Sequence, residues 1–149
     1  MKILIDTNIL VSGILWNKNE HIILENILNQ KFEGVISPQI LDEYKHGLTK
    51  TLYKTDKTLN LDFNEIIESF SVIQSRTKIY ICRDPKDNKF LECAFDAQAY
   101  YIVSGDNDLI SIKNEVKDNF EIEIITAKDF CQKFNLNNKL EENSNSFHR

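Results

Sequence analysis

The sequence predicts an α/β fold, a central and mainly parallel sheet of about four to five strands flanked by helices on both faces. Two observations carry this expectation. Apolar runs at residues 2–5, 34–37, 101–104 and 122–125 are strand-sized and nearly unalternated, the pattern of strands buried on both faces. The stretches between them have the apolar spacing of helices, so strands and helices alternate as parallel strands with right-handed crossovers require.

Each element has its own local reason. The first strand stops at Asp6, and Ile22, Ile23, Ile27 and Leu28 form a helical stripe in the first crossover. After the second strand, Ser37 followed by Pro38 reads as an N-cap and first helical residue. Phe63, Ile66, Ile67, Phe70 and Ile73 form a cleaner stripe, with Asp62 and Glu65 at capping-box spacing ahead of it. Asp87 can open a helix carrying Phe90, Leu91, Ala94 and Gln98. The third strand runs into Gly105 and Asp106, and the fourth precedes Thr126 and Asp129, again at capping-box spacing. One domain is expected over residues 1–134. Residues 135–149, rich in Asn and Ser with few apolar side chains, read as a disordered polar tail.

Composition narrows the class. A chain of 149 residues is long enough for one sizeable core and short for two domains. Four Gly and two Pro exclude collagenous and linker-like architectures. The net charge of -5 repels a polyanion at long range, so a nucleic-acid partner needs clustered lysines or an intervening cation. Cys82, Cys93 and Cys131 include no CxxC pair, which suggests neither a disulfide framework nor a zinc site and makes a reducing cytoplasm the expected location. Asp6 interrupts any signal-peptide core, and no stretch approaches the roughly 18 apolar residues of a membrane helix. No Walker A loop, GxGxxG or GxSxG motif is present, and His21, His46 and His148 show no HxxxH spacing.

In an open parallel sheet, ligands gather at the carboxyl ends of the strands. The acids fall there: Asp6 directly after the first strand, Asp106 and Asp108 after the third, Asp84 and Asp87 in the loop that opens a helix. Glu43 lies about a turn and a half into the helix after the second strand and shares a face with Ile40, while Asp42 points away. Each alone has an ordinary explanation, Asp87 as a cap, Asp106 as a turn residue, Glu43 as a solvated helix residue. Together they repel. Two carboxylates about 5 Å apart cost roughly 3 kcal/mol at an effective dielectric near 20. Mg²⁺ or Mn²⁺, which take oxygen ligands and keep waters for a substrate phosphate, are the cations that offset such repulsion.

The blocks MKILIDTNILVSGILW, ISPQILDE, DPKDNKFLECA and YIVSGDNDLI, in this order, resemble the PIN-domain family. The similarity runs from Met1 to about Phe134, and the branch most resembled is the VapC-like toxin of toxin-antitoxin modules. The resemblance implies a metal-dependent ribonuclease with Asp6, Glu43, Asp87 and Asp106 as catalytic acids and metal ligands. It further implies Asp108 as a secondary ligand and Thr7, Asn8 and Ser104 as hydrogen-bonding support; Asp84 could share metal or supporting duty with Asp87. A cognate antitoxin protein and a homodimer are implied partners, and products with 3′-hydroxyl and 5′-phosphate ends are the expected outcome.

For the substrate, Lys45, Lys50, Lys54 and Lys57 against Asp56, with Tyr53 among them, could line an RNA path or be a solvated surface. Trp16 could stack a base or belong to the core. Two other functions compete. A haloacid-dehalogenase-like phosphatase would need a second acid two residues after Asp6, where Asn8 stands. A non-catalytic RNA- or protein-binding module would not need four acids.

Overall fold

The computed structural model describes residues 1–55 and 57–136. Five strands, β1 (Lys2–Ile5), β2 (Glu33–Ile36), β3 (Ser71–Val72), β4 (Tyr101–Val103) and β5 (Glu123–Ile125), form one sheet in the order β3-β2-β1-β4-β5, with every neighbouring pair parallel. Eight helices connect or follow them: α1 (Thr7–Leu15), α2 (Asn19–Leu28), α3 (Pro38–Lys54), α4 (Phe63–Glu68), α5 (Asn88–Ala97), α6 (Asn107–Ile110), α7 (Lys113–Phe120) and α8 (Ala127–Lys133). A 3-10 turn at Pro85–Asp87 leads into α5.

The order of strands locates the site. The chain builds β1, β2 and β3 outward on one side, then crosses back to place β4 and β5 on the other. With right-handed crossovers, this reversal puts the two sets of helices on opposite faces and opens a crevice between β1 and β4 at their carboxyl ends. α5 makes the return crossing and packs on β1, β2 and β4, while α1 packs on α2 and α3. Ile3, Leu4, Ile5, Ile36, Ile102 and Val103 are buried to 1% exposure or less, which is why their segments show no alternation.

The sequence reading needs three adjustments. The sheet has the four to five strands expected, but β3 was not located, and Phe70 and Ile73, assigned to the helical stripe, lie beyond α4: Ser69 caps that helix, and Ile73 N–H donates to the Ile36 carbonyl (2.8 Å) as chain alongside β2. The helical crossover expected between the runs at 101–104 and 122–125 was not placed, and it is two helices, α6 and α7; half of the α7 residues are charged and it buries only Val116 fully. Gln98 ends α5 as a left-handed cap rather than continuing it. Most of the expected tail, and Asp56, lie outside the described residues; Leu136 is buried, its N–H bonded to the Cys131 carbonyl (2.9 Å). No helix among the described residues is long and apolar enough to cross a membrane.

Candidate active site

Asp6 stands where β1 ends and α1 begins, and it is 4% exposed. Its Oδ1 accepts the Ile9 N–H (2.9 Å) as the N-cap of α1. Its Oδ2 accepts the hydroxyl of Ser104, which is fully buried directly after β4. The same Ser104 oxygen accepts the Asp106 N–H (3.0 Å), so one serine ties the ends of β1 and β4 to the turn that carries Asp106. Asp106 in turn caps α6, accepting the Asp108 N–H (3.0 Å). Asp108 is half-buried in the first turn of that helix.

Glu43 reaches the site from α3. Ser37 caps that helix through the Ile40 N–H (3.3 Å), which fixes its phase. Tyr44, fully buried, donates its hydroxyl to the Ile5 carbonyl (2.5 Å) and pins α3 to the end of β1. Thr7 donates to Glu43 Oε2, and the Lys89 ammonium lies 2.6 Å from Glu43 Oε1. Gly47 permits this approach. A Cβ there would sit 2.7 Å from the Thr7 methyl, so any side chain would push α3 away from α1.

Asp87 closes the group from the start of α5. It occupies the N-cap position without a side-chain capping bond; the capping expected of it falls to Asp84, which accepts the Lys86 N–H (3.0 Å) of the 3-10 turn. The Asn88 side chain braces the same loop by accepting the Cys82 N–H (2.9 Å). Asp87 therefore presents a carboxylate that the helix start does not use.

These side chains feel one another. Burial pushes the Asp6 carboxyl up to about 6, against the pull of its hydrogen bonds from Ser104 and Ile9, and the charges of Asp106 and Glu43 push the same way. Burial also pushes Asp87 up to about 6, with further contributions from Asp106, Asp84 and Glu43 that Lys89 opposes. Burial, then the charges of Asp87, Asp106, Asp84 and Glu92, hold the Cys82 thiol at about 12, so no thiolate forms beside the acids at neutral pH.

Among the described residues the donors at the acids are carboxylates and hydroxyls, with the neighbouring Cys82 thiol protonated and His46 bordering the groove beside Glu43, a mainly oxygen set of the kind Mg²⁺ or Mn²⁺ takes. Among the described residues, no three His, Cys, Asp or Glu side chains are grouped so as to hold a metal ion between them. Mg²⁺ keeps several waters and is commonly bound through one or two carboxylates, so an open acidic crevice fits it better than a closed cage would.

The expected RNA lysines divide. Lys50 and Lys54 line a groove of about 320 Å³ with Thr7, Asn8, Glu43 and His46, next to the acids. Lys45 does not line it: five residues from Lys50 on the helix, it stands on another side of α3. Lys57 lies past the end of α3, with its ammonium 5.9 Å from the centre of the Trp16 ring, and Trp16 itself packs partly buried against the core. Lys89 was not singled out from the sequence, and Tyr44 was given no role in the site. Nothing in the linear pattern of a lysine early in a helix reveals a partner on a distant segment.

Comparison with known proteins agrees with this architecture. A family model described as PIN domain matches residues 2–108. An uncharacterized protein, MJ1680, from Methanocaldococcus jannaschii is 33% identical over an alignment covering 90% of this chain and 92% of that one. A solved PilT N-terminus domain protein, SSO1118, from Sulfolobus solfataricus is similar in fold, with a TM-score of 0.50 and 13% identity over 89% of this chain and 92% of its own.

Proposed function

This chain belongs to the PIN domain family, and from that premise we propose that it is a metal-dependent endoribonuclease whose active site is the crevice of Asp6, Glu43, Asp87 and Asp106. One observation carries the reading. Acids from four separate segments share the carboxyl edge of the sheet around the β1/β4 switch point, and burial with mutual repulsion pushes Asp6 and Asp87 up to about 6. Such an arrangement is costly unless a cation offsets it, and perturbed acids in a crevice mark functional sites.

Asp6, Glu43, Asp87 and Asp106, with Asp108 nearby, would hold one or two Mg²⁺ or Mn²⁺ ions, each through one or two carboxylates and waters, and the bound ion would supply an activated water and positive charge against the scissile phosphate. The protein's part is to keep the acids in place. Ser104 orients Asp6 and supports the Asp106 turn, Thr7 orients Glu43, and the Tyr44 bond to β1 holds the helix carrying Glu43. Asp84 relieves Asp87 of capping. In hydrolysis the water oxygen bonds to phosphorus and the bond to the 3′ oxygen breaks, leaving 3′-hydroxyl and 5′-phosphate ends. Lys50 and Lys54, with Asn8 and His46, line the groove in which an RNA backbone would run toward Glu43.

The VapC-like sequence blocks favour the toxin of a toxin-antitoxin module, acting in the cytoplasm, neutralised by a small cognate antitoxin and forming a homodimer. The test of the enzymatic reading is incubation of total RNA with wild-type and Asp6→Asn protein under Mg²⁺, Mn²⁺ and chelator. Cleavage is expected only from wild type with metal. Equal cutting by both proteins in chelator would overturn the reading.

A further inference from the structure

Lys89 breaks a local rule. It is the second residue of α5, in the first turn, where the helix dipole disfavours a cation. Its side chain is only 17% exposed, and the ammonium is held 2.6 Å from Glu43 Oε1 while donating to the Lys86 carbonyl (2.7 Å). Among the described residues this is the only salt bridge that any of the four acids makes. Local rules fail in folded proteins chiefly where function requires it.

We infer that Lys89 is the resident counter-ion of the acid crevice, holding Glu43 while no divalent cation is bound and releasing it when one binds. The inference rests on the reading of the crevice as a divalent-cation site. Its physical basis is competition: an ammonium and a metal ion seek the same carboxylate, and their like charges repel at short range. Release has room. Lys89 also borders an open cavity of about 560 Å³ between α3 and α5, whose charged lining is Asp42 and Glu92 as well as Lys78 and Lys86, so its flexible stem can carry the ammonium off Glu43 toward other carboxylates without moving either helix. The pair therefore partly neutralises the crevice in the metal-free protein, at the expense of metal affinity.

The experiment is a calorimetric Mn²⁺ titration of the full chain as wild type, Lys89→Met, Lys89→Arg, Glu43→Gln and the Glu43→Gln/Lys89→Met double variant, with metal-free melting curves of each. Removing the competing charge should tighten Mn²⁺ binding by about tenfold in Lys89→Met, while Lys89→Arg stays near wild type. Metal-free Lys89→Met should melt lower, because Glu43 loses its partner. In the Glu43→Gln background the tightening should largely vanish, since neighbours that act through each other are not additive. If Lys89→Met fails to fold, Lys89→Gln takes its place in the same cycle. Wild type that binds Mn²⁺ while the Lys89→Met or Lys89→Gln variant binds it no more tightly would overturn the counter-ion role and leave the metal site standing. Wild type that binds no Mn²⁺ would overturn the metal site, and the counter-ion role with it.

Discussion

Replacing Asp6 by Asn should stabilise the metal-free protein at neutral pH, by an amount that depends on pH in a defined direction. Asp6 is raised from 3.8 to about 6 by burial and by its acidic neighbours. A raised folded-state value means that the native protein holds this proton more tightly than the unfolded chain does. The stability contributed is full below about pH 4 and is lost as pH rises through about 6. At pH 7.5 the ionised carboxylate therefore costs the fold roughly 3 kcal/mol, at 1.36 kcal/mol for each unit. Asn carries no such charge, can still accept the Ile9 N–H, and can donate to Ser104 if that hydroxyl turns. Allowing about 1 kcal/mol for the poorer hydrogen bonding, the variant should gain roughly 2 kcal/mol at pH 7.5, or about 4 to 8 °C in Tm. The gain should shrink steadily toward pH 4. Melting curves of both proteins in chelator from pH 4 to 7.5 provide the assay, and the Asp87 titration, common to both, cancels in the difference. An Asn variant that is less stable at pH 7.5, or a difference that does not change with pH, would refute the reasoning.

Other outcomes follow from the same contacts. Gly47→Ala should drive α3 off Thr7 and cost about 1 to 3 kcal/mol by overpacking, with a larger loss of RNA cleavage than of stability because Glu43 moves with the helix; thermal melting and initial rates measured side by side check this. Ser104→Ala removes a hydrogen bond that lowers the Asp6 value, so Asp6 should titrate above 6 and Mn²⁺ binding at pH 7 should weaken more than at pH 8, which calorimetry at the two pH values would show.

The sequence exposed the parts of the fold that obey one strong signal. β1 and β4 are short apolar runs ended by polar residues, and their positions were legible, β4 to within one residue, because burial on both faces leaves few polar positions. β3 was not, because two residues carry no periodicity and Phe70 and Ile73 happen to continue the helical spacing of Phe63, Ile66 and Ile67. α7 was not placed because its inward face is only Val116 and Phe120 among residues half of which are charged, too thin a stripe to read. For the site, the positions of Asp6, Asp87 and Asp106 at a strand end or helix start were legible, and Glu43, a turn and a half into α3, only through the face it shares with Ile40. Their mutual contacts were not: the Thr7 and Lys89 bonds to Glu43 depend on how closely α1, α3 and α5 approach, which Gly47 and Tyr44 decide through packing.

Calorimetric titration of Mn²⁺ into wild-type protein and into the Asp106→Asn and Asp87→Asn variants is the most direct test that these acids form one cation site. Asp106 and Asp87 come from different segments, and the charge of Asp106 acts on both Asp6 and Asp87. Each substitution should weaken Mn²⁺ binding by at least about tenfold, the worth of 1.4 kcal/mol, while leaving the metal-free fold as stable as wild type or more so. Both variants binding Mn²⁺ as tightly as wild type would contradict the account, reducing Asp106 to the cap of α6 and Asp87 to a surface acid at the start of α5.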